Sequence, residues 1–223
     1  MLVNTIILGQ IKTDDRICGP DASQESQDSF ECITSKTYVA SFGMASSTMG
    51  IILLAPGICY VLALSNNIPQ AFGAKNYELC GAYMNRNIIT VTAITLPLLI
   101  VIWVGIDYLF IALGQTKYVV QLSAIYLRIV APGVVCYIWG QAHNMLAACQ
   151  GKPRISLFST AGASIFHWFV AWYLAINLDM KMTGIAIASS LHFVMRFAIT
   201  VTLVRCDKDL ARSIIPLSHP SSW

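Results

Sequence analysis

Five polar side chains stand out by where they fall. His143, Asn144, His167, His192 and Arg196 each lie inside a long run of Leu, Ile, Val and Ala. An imidazole takes up and releases a proton near neutral pH. A carboxamide can donate to or accept from a polar solute. A guanidinium is a permanent cation. In a lipid medium such buried polar groups are the default functional candidates. A plainer role stands beside each. His167, flanked by Phe166 and Trp168, suits a hydrogen bond within a packed bundle. Arg196 lies about two turns from the end of its apolar run, near enough for its side chain to snorkel to an interface.

Other chemistries are poorly supported. Gly162-Ala163-Ser164, with His192 further on, could suggest the dyad of an intramembrane serine protease, but Ile165 follows the Ser where a rhomboid-type protease carries Gly. A Ser in a Gly/Ala-rich stretch is more simply a packing residue. There is no HExxH, GxSxG or Walker loop. The seven Cys form no CxxC pair and no Cys/His spacing that would hold zinc. The chain is therefore expected not to be an enzyme, to hold no metal and no cofactor, and to bind no nucleic acid. Cys59, Cys136 and Cys149 are expected to be small apolar packing residues. Cys18 and Cys32 could pair only on an oxidising side.

The elements that must carry these residues follow from composition. The 223 residues are 56% hydrophobic and 11% charged, against about 25% charged in an ordinary soluble domain. The mean hydropathy of +0.64 does not suit a water-facing surface, so the partner of most of this chain is membrane lipid. Charge-free stretches of about the roughly 20 residues a helix needs to cross the hydrocarbon core recur along the chain. They predict an all-α, polytopic transmembrane bundle with spans at about 41–65, 87–107, 122–149, 155–178 and 182–205. The protein is expected to be an integral, multi-pass membrane protein, in a membrane the sequence does not specify. Pro56, Pro97 and Pro132 fall inside the first three spans, where proline removes a donor and bends a helix. Gly184 and Ala188 have the small-xxx-small spacing that lets helices approach closely. Residues 1–40 are expected to be a polar, disordered tail, 41–205 the bundle, and 206–223 a short cytoplasmic tail.

One polar passage interrupts the apolar sequence: SNNIPQAFGAKNYELCGAYMNRN, residues 65–87. Lys and Arg favour cytoplasmic connections. Lys75 and Arg86, Lys152 and Arg154, and Arg205, Lys208 and Arg212 would share one side if the spans alternate. On that side residues 71–86 are expected to form a cytoplasmic connection. Asn66, Asn67 and Gln70 precede it, and together with Asn144 and His167 they are the candidates for a substrate pathway.

The same passage carries a family resemblance. Gln70-Ala71-Phe72-Gly73-Ala74-Lys75-Asn76-Tyr77, then Gly81, Tyr83 and Arg86, resembles the signature after the second helix of the multidrug and toxic compound extrusion (MATE) antiporters. Leu113-Gly114-Gln115, Tyr126-Leu127-Arg128 with Pro132-Gly133, and Cys149-Gln150-Gly151-Lys152-Pro153-Arg154 resemble further family landmarks in the family's order. His167, Tyr173, Gly184 and Ala186 fit the fifth and sixth helices. The resemblance runs from about residue 41 to 205. It implies part of one lobe of a two-lobe, twelve-helix antiporter that exports small organic, often cationic, compounds in exchange for H+ or Na+. Gly73, Gly81, Arg86, Pro132, Gly151 and Pro153 would be structural motif residues, with Gly73 easing the chain out of its helix. Ser65 and Asn66 stand where the family usually has an acidic residue and Thr, and the carboxylates that carry ion coupling in many relatives have no counterpart. Twelve spans need about 240 residues, so the chain is expected to lack the first helix and the second lobe. It would need a second lobe or a second copy of itself to transport. The alternative is a non-transporting fragment or an interaction partner of a full-length transporter.

Overall fold

A helix in lipid has no water to satisfy a carbonyl freed by proline, so the bundle itself must supply the donor. The computed structural model describes residues 2–10 and 35–216, and within them it answers this demand at two prolines in two different ways. Pro56 is preceded by a π-helical turn, Gly50–Leu54, in which Ala55 N–H reaches back to the Gly50 carbonyl. The widened turn absorbs the missing bond. Pro132 would leave the carbonyl four residues back, that of Arg128, without its helical donor. Trp103 Nε1 donates to that carbonyl at 3.2 Å. Arg128 answers in kind, donating from Nε to the Trp103 carbonyl at 3.2 Å and pairing with Asp107. Arg128 therefore binds the neighbouring helix.

The order is α1 Leu2–Gly9, α2 Ser35–Met49, the π-turn, α3 Ala55–Leu62, α4 Leu64–Gly73, α5 Tyr77–Ala112, α6 Lys117–Cys149, α7 Arg154–Trp172, a second π-turn Tyr173–Asn177, α8 Lys181–Cys206 and α9 Lys208–Ala211. Among the described residues five stretches are long and apolar enough to cross a membrane: Lys36–Gly73, Tyr77–Ala112, Lys117–Cys149, Arg154–Asn177 and Lys181–Cys206. These are the five expected spans, four of them longer than expected and the fourth shifted by one residue. At about 1.5 Å per residue, the 36 residues of α5 reach about 54 Å, well beyond a hydrocarbon core of about 30 Å. The polar passage at 65–87 is accordingly not a long connection. It is helical on both sides of a turn at 74–76, with Asn76 accepting from Leu79 N–H at 3.0 Å to cap α5. Gly73 stays inside its helix, and the left-handed residue of the turn is Lys75, with φ 57°. Glycine takes positive φ instead at Gly114 (72°) and Gly151 (77°), where the α5–α6 and α6–α7 turns need it.

The central helix is α6, half of whose apolar window is buried, against 17–28% for the other spans. It packs most extensively on α8, and also on α5, α2 and α7. The α6–α8 crossing is close because Gly133 has no side chain: a Cβ there would stand 3.0 Å from Ser190 Cα. The outward faces carry Leu96, Ile100, Trp103, Val104, Leu157 and Phe169, all exposed, as lipid contact requires. Threonines at 90, 92, 95, 200 and 202 donate to carbonyls four residues back, which satisfies their hydroxyls within the helix. Cys59 is exposed rather than packed, while Cys136 and Cys149 are partly buried.

Residues 1–40 differ from the expected tail at both ends. Residues 2–9 form α1, whose Ile7 and Leu8 are buried in the main core, and α2 begins at Ser35. The acidic residues gave this segment its polar average and hid an apolar 2–8 that pairs well with the bundle. Cys18, Cys32 and the acidic residues from Asp14 to Glu31 lie outside the described residues.

After α8 the chain folds back as a strap across one end of the bundle. Asp207 caps α9 by accepting from Asp209 and Leu210 N–H. Lys152 pairs with Asp207 and reaches Asp209 at 2.8 Å. Gln150 Nε2 donates to Ser213 Oγ at 2.9 Å, and Asn85 Nδ2 to the Ile215 carbonyl at 3.1 Å. Gly81 lies so close beneath that a Cβ would fall 2.2 Å from the Ser213 carbonyl oxygen. The three basic connections thus gather at one end of the bundle, with the signature residues Gly81 and Gln150 bound up with the strap. The hydrogen bond from Lys152 holds the Asp207 carboxyl below its ordinary range, and the two carboxylates hold the Lys152 ammonium above its own.

Two outcomes follow. Trp103→Phe leaves the Arg128 carbonyl without its donor and should lower stability by about 1–2 kcal/mol, read as the unfolding midpoint in detergent; an unchanged midpoint would contradict the role given to Trp103. For the strap, a depressed Asp207 and a raised Lys152 mean the clamp holds between the ordinary carboxylate and lysine ranges. It is lost as pH falls through the Asp207 value or rises through that of Lys152. Asp207→Asn should speed amide exchange over 208–215 at neutral pH by about two- to fivefold, the scale of an exposed pair, with little change elsewhere.

Candidate functional site

Four helices bring polar side chains to one place inside the bundle. Asn4 comes from α1, Tyr126 from α6, His167 from α7 and Ser189 from α8. Asn4 Nδ2 donates to Ser189 Oγ at 3.0 Å, and Tyr126 OH to the same oxygen at 3.3 Å. His167 Nε2 lies 2.8 Å from Asn4 Oδ1, and its Nδ1 lies 3.1 Å from the Ala188 carbonyl. His167 is 8% exposed, so both ring nitrogens depend on protein partners. Both of those partners are oxygen acceptors. A neutral imidazole donates from one nitrogen only, an imidazolium from both. As placed, the ring suits the protonated form; turning over the Asn4 amide would suit the neutral one. His192 stacks edge-on to His167 with centroids 5.2 Å apart. Its Nδ1 lies 3.0 Å from the Ala163 carbonyl. It therefore engages the backbone next to Ser164, and the Ser–His dyad considered from the sequence is replaced by this contact.

A second polar group lies along the α6–α8 seam. Arg196 from α8 reaches Gln141 Oε1 through Nη2 at 3.4 Å, and its guanidinium carbon sits 5.0 Å above the Tyr137 ring. Gln141 donates to Tyr137 OH at 3.1 Å and accepts from Asn144 Nδ2 at 3.2 Å. Arg196 thus points along the seam into the bundle, engaged by an aromatic face, where the sequence suggested snorkelling. Two buried atoms here have no partner, Arg196 Nε and Asn144 Oδ1. Between the two groups lies a cavity of about 310 Å³, lined by Tyr126, Tyr137, His167, His192, Phe193 and Arg196 among others. A shallower groove of about 560 Å³ runs past Gln141 and Asn144 between α3, α6 and α7.

Of the five pathway candidates, the structure places His167 at the cavity and Asn144 beside the groove. Asn66, Asn67 and Gln70 are exposed on α4 and line neither space. Sequence reasoning missed Asn4, hidden in a segment read as tail, and Tyr137, Gln141 and Ser189, whose residue types are too common to mark a site. His143 contacts the Trp139 carbonyl at 2.8 Å and faces the Phe197 ring, away from this cavity. Among the described residues no cluster of His, Cys, Asp and Glu could hold a metal ion.

The MatE family model matches residues 31–173, well over half of the chain. Protein DETOXIFICATION 16 of Arabidopsis thaliana is 26% identical over 174 residues, covering 72% of this chain and 36% of that protein. Protein DETOXIFICATION 23 of the same plant is 30% identical over 146 residues, covering 65% of this chain and 29% of that protein. The chain spans about a third of the length of the curated relatives it matches. The crystal structure of the eukaryotic MATE transporter AtDTX14 superposes with a TM-score of 0.82 at 17% identity, over 99% of this chain and 44% of that one. An inward-facing multidrug resistance MATE family transporter of the MOP superfamily gives 0.74 at 18% identity, over 96% of this chain and 44% of that one. The likeness to these structures is one of fold, five membrane-competent helices in a bundle; together with the family match, it makes this chain a member of the MatE family of integral membrane transporters.

Proposed function

We propose that this chain forms one lobe of a MATE-type antiporter that moves small organic compounds across a membrane in exchange for H+ or Na+. The observation that carries the reading is the polar cluster of Asn4, Tyr126, His167 and Ser189 beside an aromatic-lined cavity, in a bundle whose outer surface is apolar. Alternating access in such folds rocks one lobe against another around a site near the midplane. This chain supplies one such lobe, and a second lobe or a second copy completes the pathway.

Of the two ions, the cluster favours H+. A driving ion must bind a group whose state changes between the two orientations. The cluster and its neighbour His192 offer hydroxyls, a carboxamide and two imidazoles, and among the described residues no carboxylate lines the cavity. His167 is the group that can change charge, because each of its nitrogens already has an oxygen in reach. Protonation would fix the Asn4 amide in one orientation and deprotonation in the other, so the proton is read out as a hydrogen-bond switch between α1, α7 and α8. The plainer alternative is that His167 is a fixed structural bond and the chain carries no driving ion of its own.

In everted vesicles carrying the chain, an imposed pH gradient should drive uptake of an organic dye, and a Na+ gradient alone should not. His167→Gln keeps the hydrogen-bonding capacity and cannot titrate. It should reduce gradient-driven uptake by about a hundredfold or more, the scale of a lost proton-transfer group, while leaving downhill dye equilibration in place. Uptake that follows Na+, or that His167→Gln leaves intact, would refute proton coupling at this residue.

A further inference from the structure

We propose that the cavity beside Arg196 is a binding site for aromatic anions, such as aryl carboxylates or sulfonates, with Arg196 as its charge-selecting residue. The proposal deepens the transport reading above by naming the chemical class that this half of the pathway accepts.

Three observations converge on it. The first is a cation with no carboxylate beside it among the described residues. Arg196 is permanently cationic and sits within a membrane-spanning helix, where an uncompensated charge is costly. The described acidic side chains are all elsewhere. Asp107 pairs with Arg128, and Asp207 and Asp209 with Lys152. Glu78 lies in the first turn of α5, and Asp179 lies in the turn before α8. None of them lines the cavity, and the other ionisable groups that face it are the two histidines and two tyrosines. Any proton taken up by His167 or His192 adds to the positive sign. A cationic solute would meet repulsion there, and an anion would supply the missing counter-charge.

The second observation is an idle donor. Arg196 Nε is buried without a partner, and the contact from Nη2 to Gln141 is long, at 3.4 Å. Nε and its neighbouring Nη group form the fork that matches the two oxygens of a carboxylate or sulfonate. The third is the wall. The Tyr137 and Phe193 rings are 5.1 Å apart and His192 and Phe193 5.6 Å apart, and all three rings line the cavity beside the guanidinium. At about 310 Å³ the space falls at the lower end of small-molecule pockets, about 300–1,000 Å³, which suits a one- or two-ring compound. An aromatic ring carrying one anionic group satisfies all three features at once. An inorganic anion would satisfy only the first two.

The test uses the full chain, purified in lipid nanodiscs, and two probes of the same shape and opposite charge, 1-naphthoate and 1-naphthylmethylammonium. Equilibrium binding should favour naphthoate by about tenfold or more, and excess chloride should compete only weakly. Arg196→Gln should abolish the preference, and Arg196→Lys should retain part of it, since a point charge lacks the fork. Equal or tighter binding of the ammonium probe, no binding of either probe, or a preference that survives Arg196→Gln would overturn the proposal. Should Arg196→Gln fail to elute as a monodisperse peak, the discrimination between the two probes by the unmutated chain decides alone. Binding and transport fail separately. Naphthoate binding without any gradient-driven movement would sink the antiporter reading and leave the site. Gradient-driven export of the ammonium probe in preference to naphthoate would keep the antiporter and sink the site.

Discussion

In hydrocarbon no polar group can turn to water for a hydrogen bond, and most of this structure follows from that one prohibition. It explains why Thr hydroxyls bend back onto their own helices, why a π-turn precedes Pro56, and why Trp103 and Arg128 lock α5 to α6 over the carbonyl that Pro132 abandons. It also gives the exceptions their meaning. Of the three buried side-chain polar atoms left idle among the described residues, Asn87 Oδ1 is on α5, and Arg196 Nε and Asn144 Oδ1 lie on the inner seam between α6 and α8. There a cavity and a groove, and not lipid, are the neighbours. The two idle atoms on that seam stand where a solute could tie them.

The two ends of the bundle are built differently from its middle. At the end where the basic connections gather, charge and water are available. The strap is accordingly held by an ion-pair cluster around Lys152, together with amide donors from Asn85 and Gln150. At the level of His167 the polar contacts are neutral or share a single proton, and they join α1, α6, α7 and α8 through four side chains. A lobe tied firmly at one end and switchable in the middle can move as a rigid body while one internal hydrogen-bond pattern changes. Packed interfaces favour such discrete alternatives over continuous deformation.

The sequence made the fold class legible because apolar runs free of charge can hardly be anything but spans, and because the QAFGAK and QGKP passages name a family. It misjudged lengths. A polar passage such as 65–73 looks like a loop when composition is the guide, yet it is helical because a helix that leaves the membrane keeps its backbone bonds while its side chains turn polar. The candidate site was half legible. His167 was visible as a titratable residue in an apolar run. Asn4 was not, since its eight-residue helix is outweighed by the acidic stretch that follows it in the same tail. Arg196 was visible as a charge, but its direction was not: snorkelling and inward pointing differ only in the partners the neighbouring helix offers, and Tyr137 and Gln141 carry no mark in one dimension. Asn66, Asn67 and Gln70 were conspicuous for the opposite reason, being polar because they are exposed.

The central claim is that α1 completes the polar cluster, with Asn4 bound to His167 and Ser189 inside the bundle. A double-mutant cycle on Asn4→Ala and His167→Ala tests it most directly, with the unfolding free energy of the full chain in a defined bilayer as the readout. Side-chain hydrogen bonds between membrane helices couple by about 0.5–2 kcal/mol, and the account predicts a coupling in that range. Additivity of the two substitutions within about 0.3 kcal/mol would show that the two side chains do not meet, and the cluster as described would be wrong.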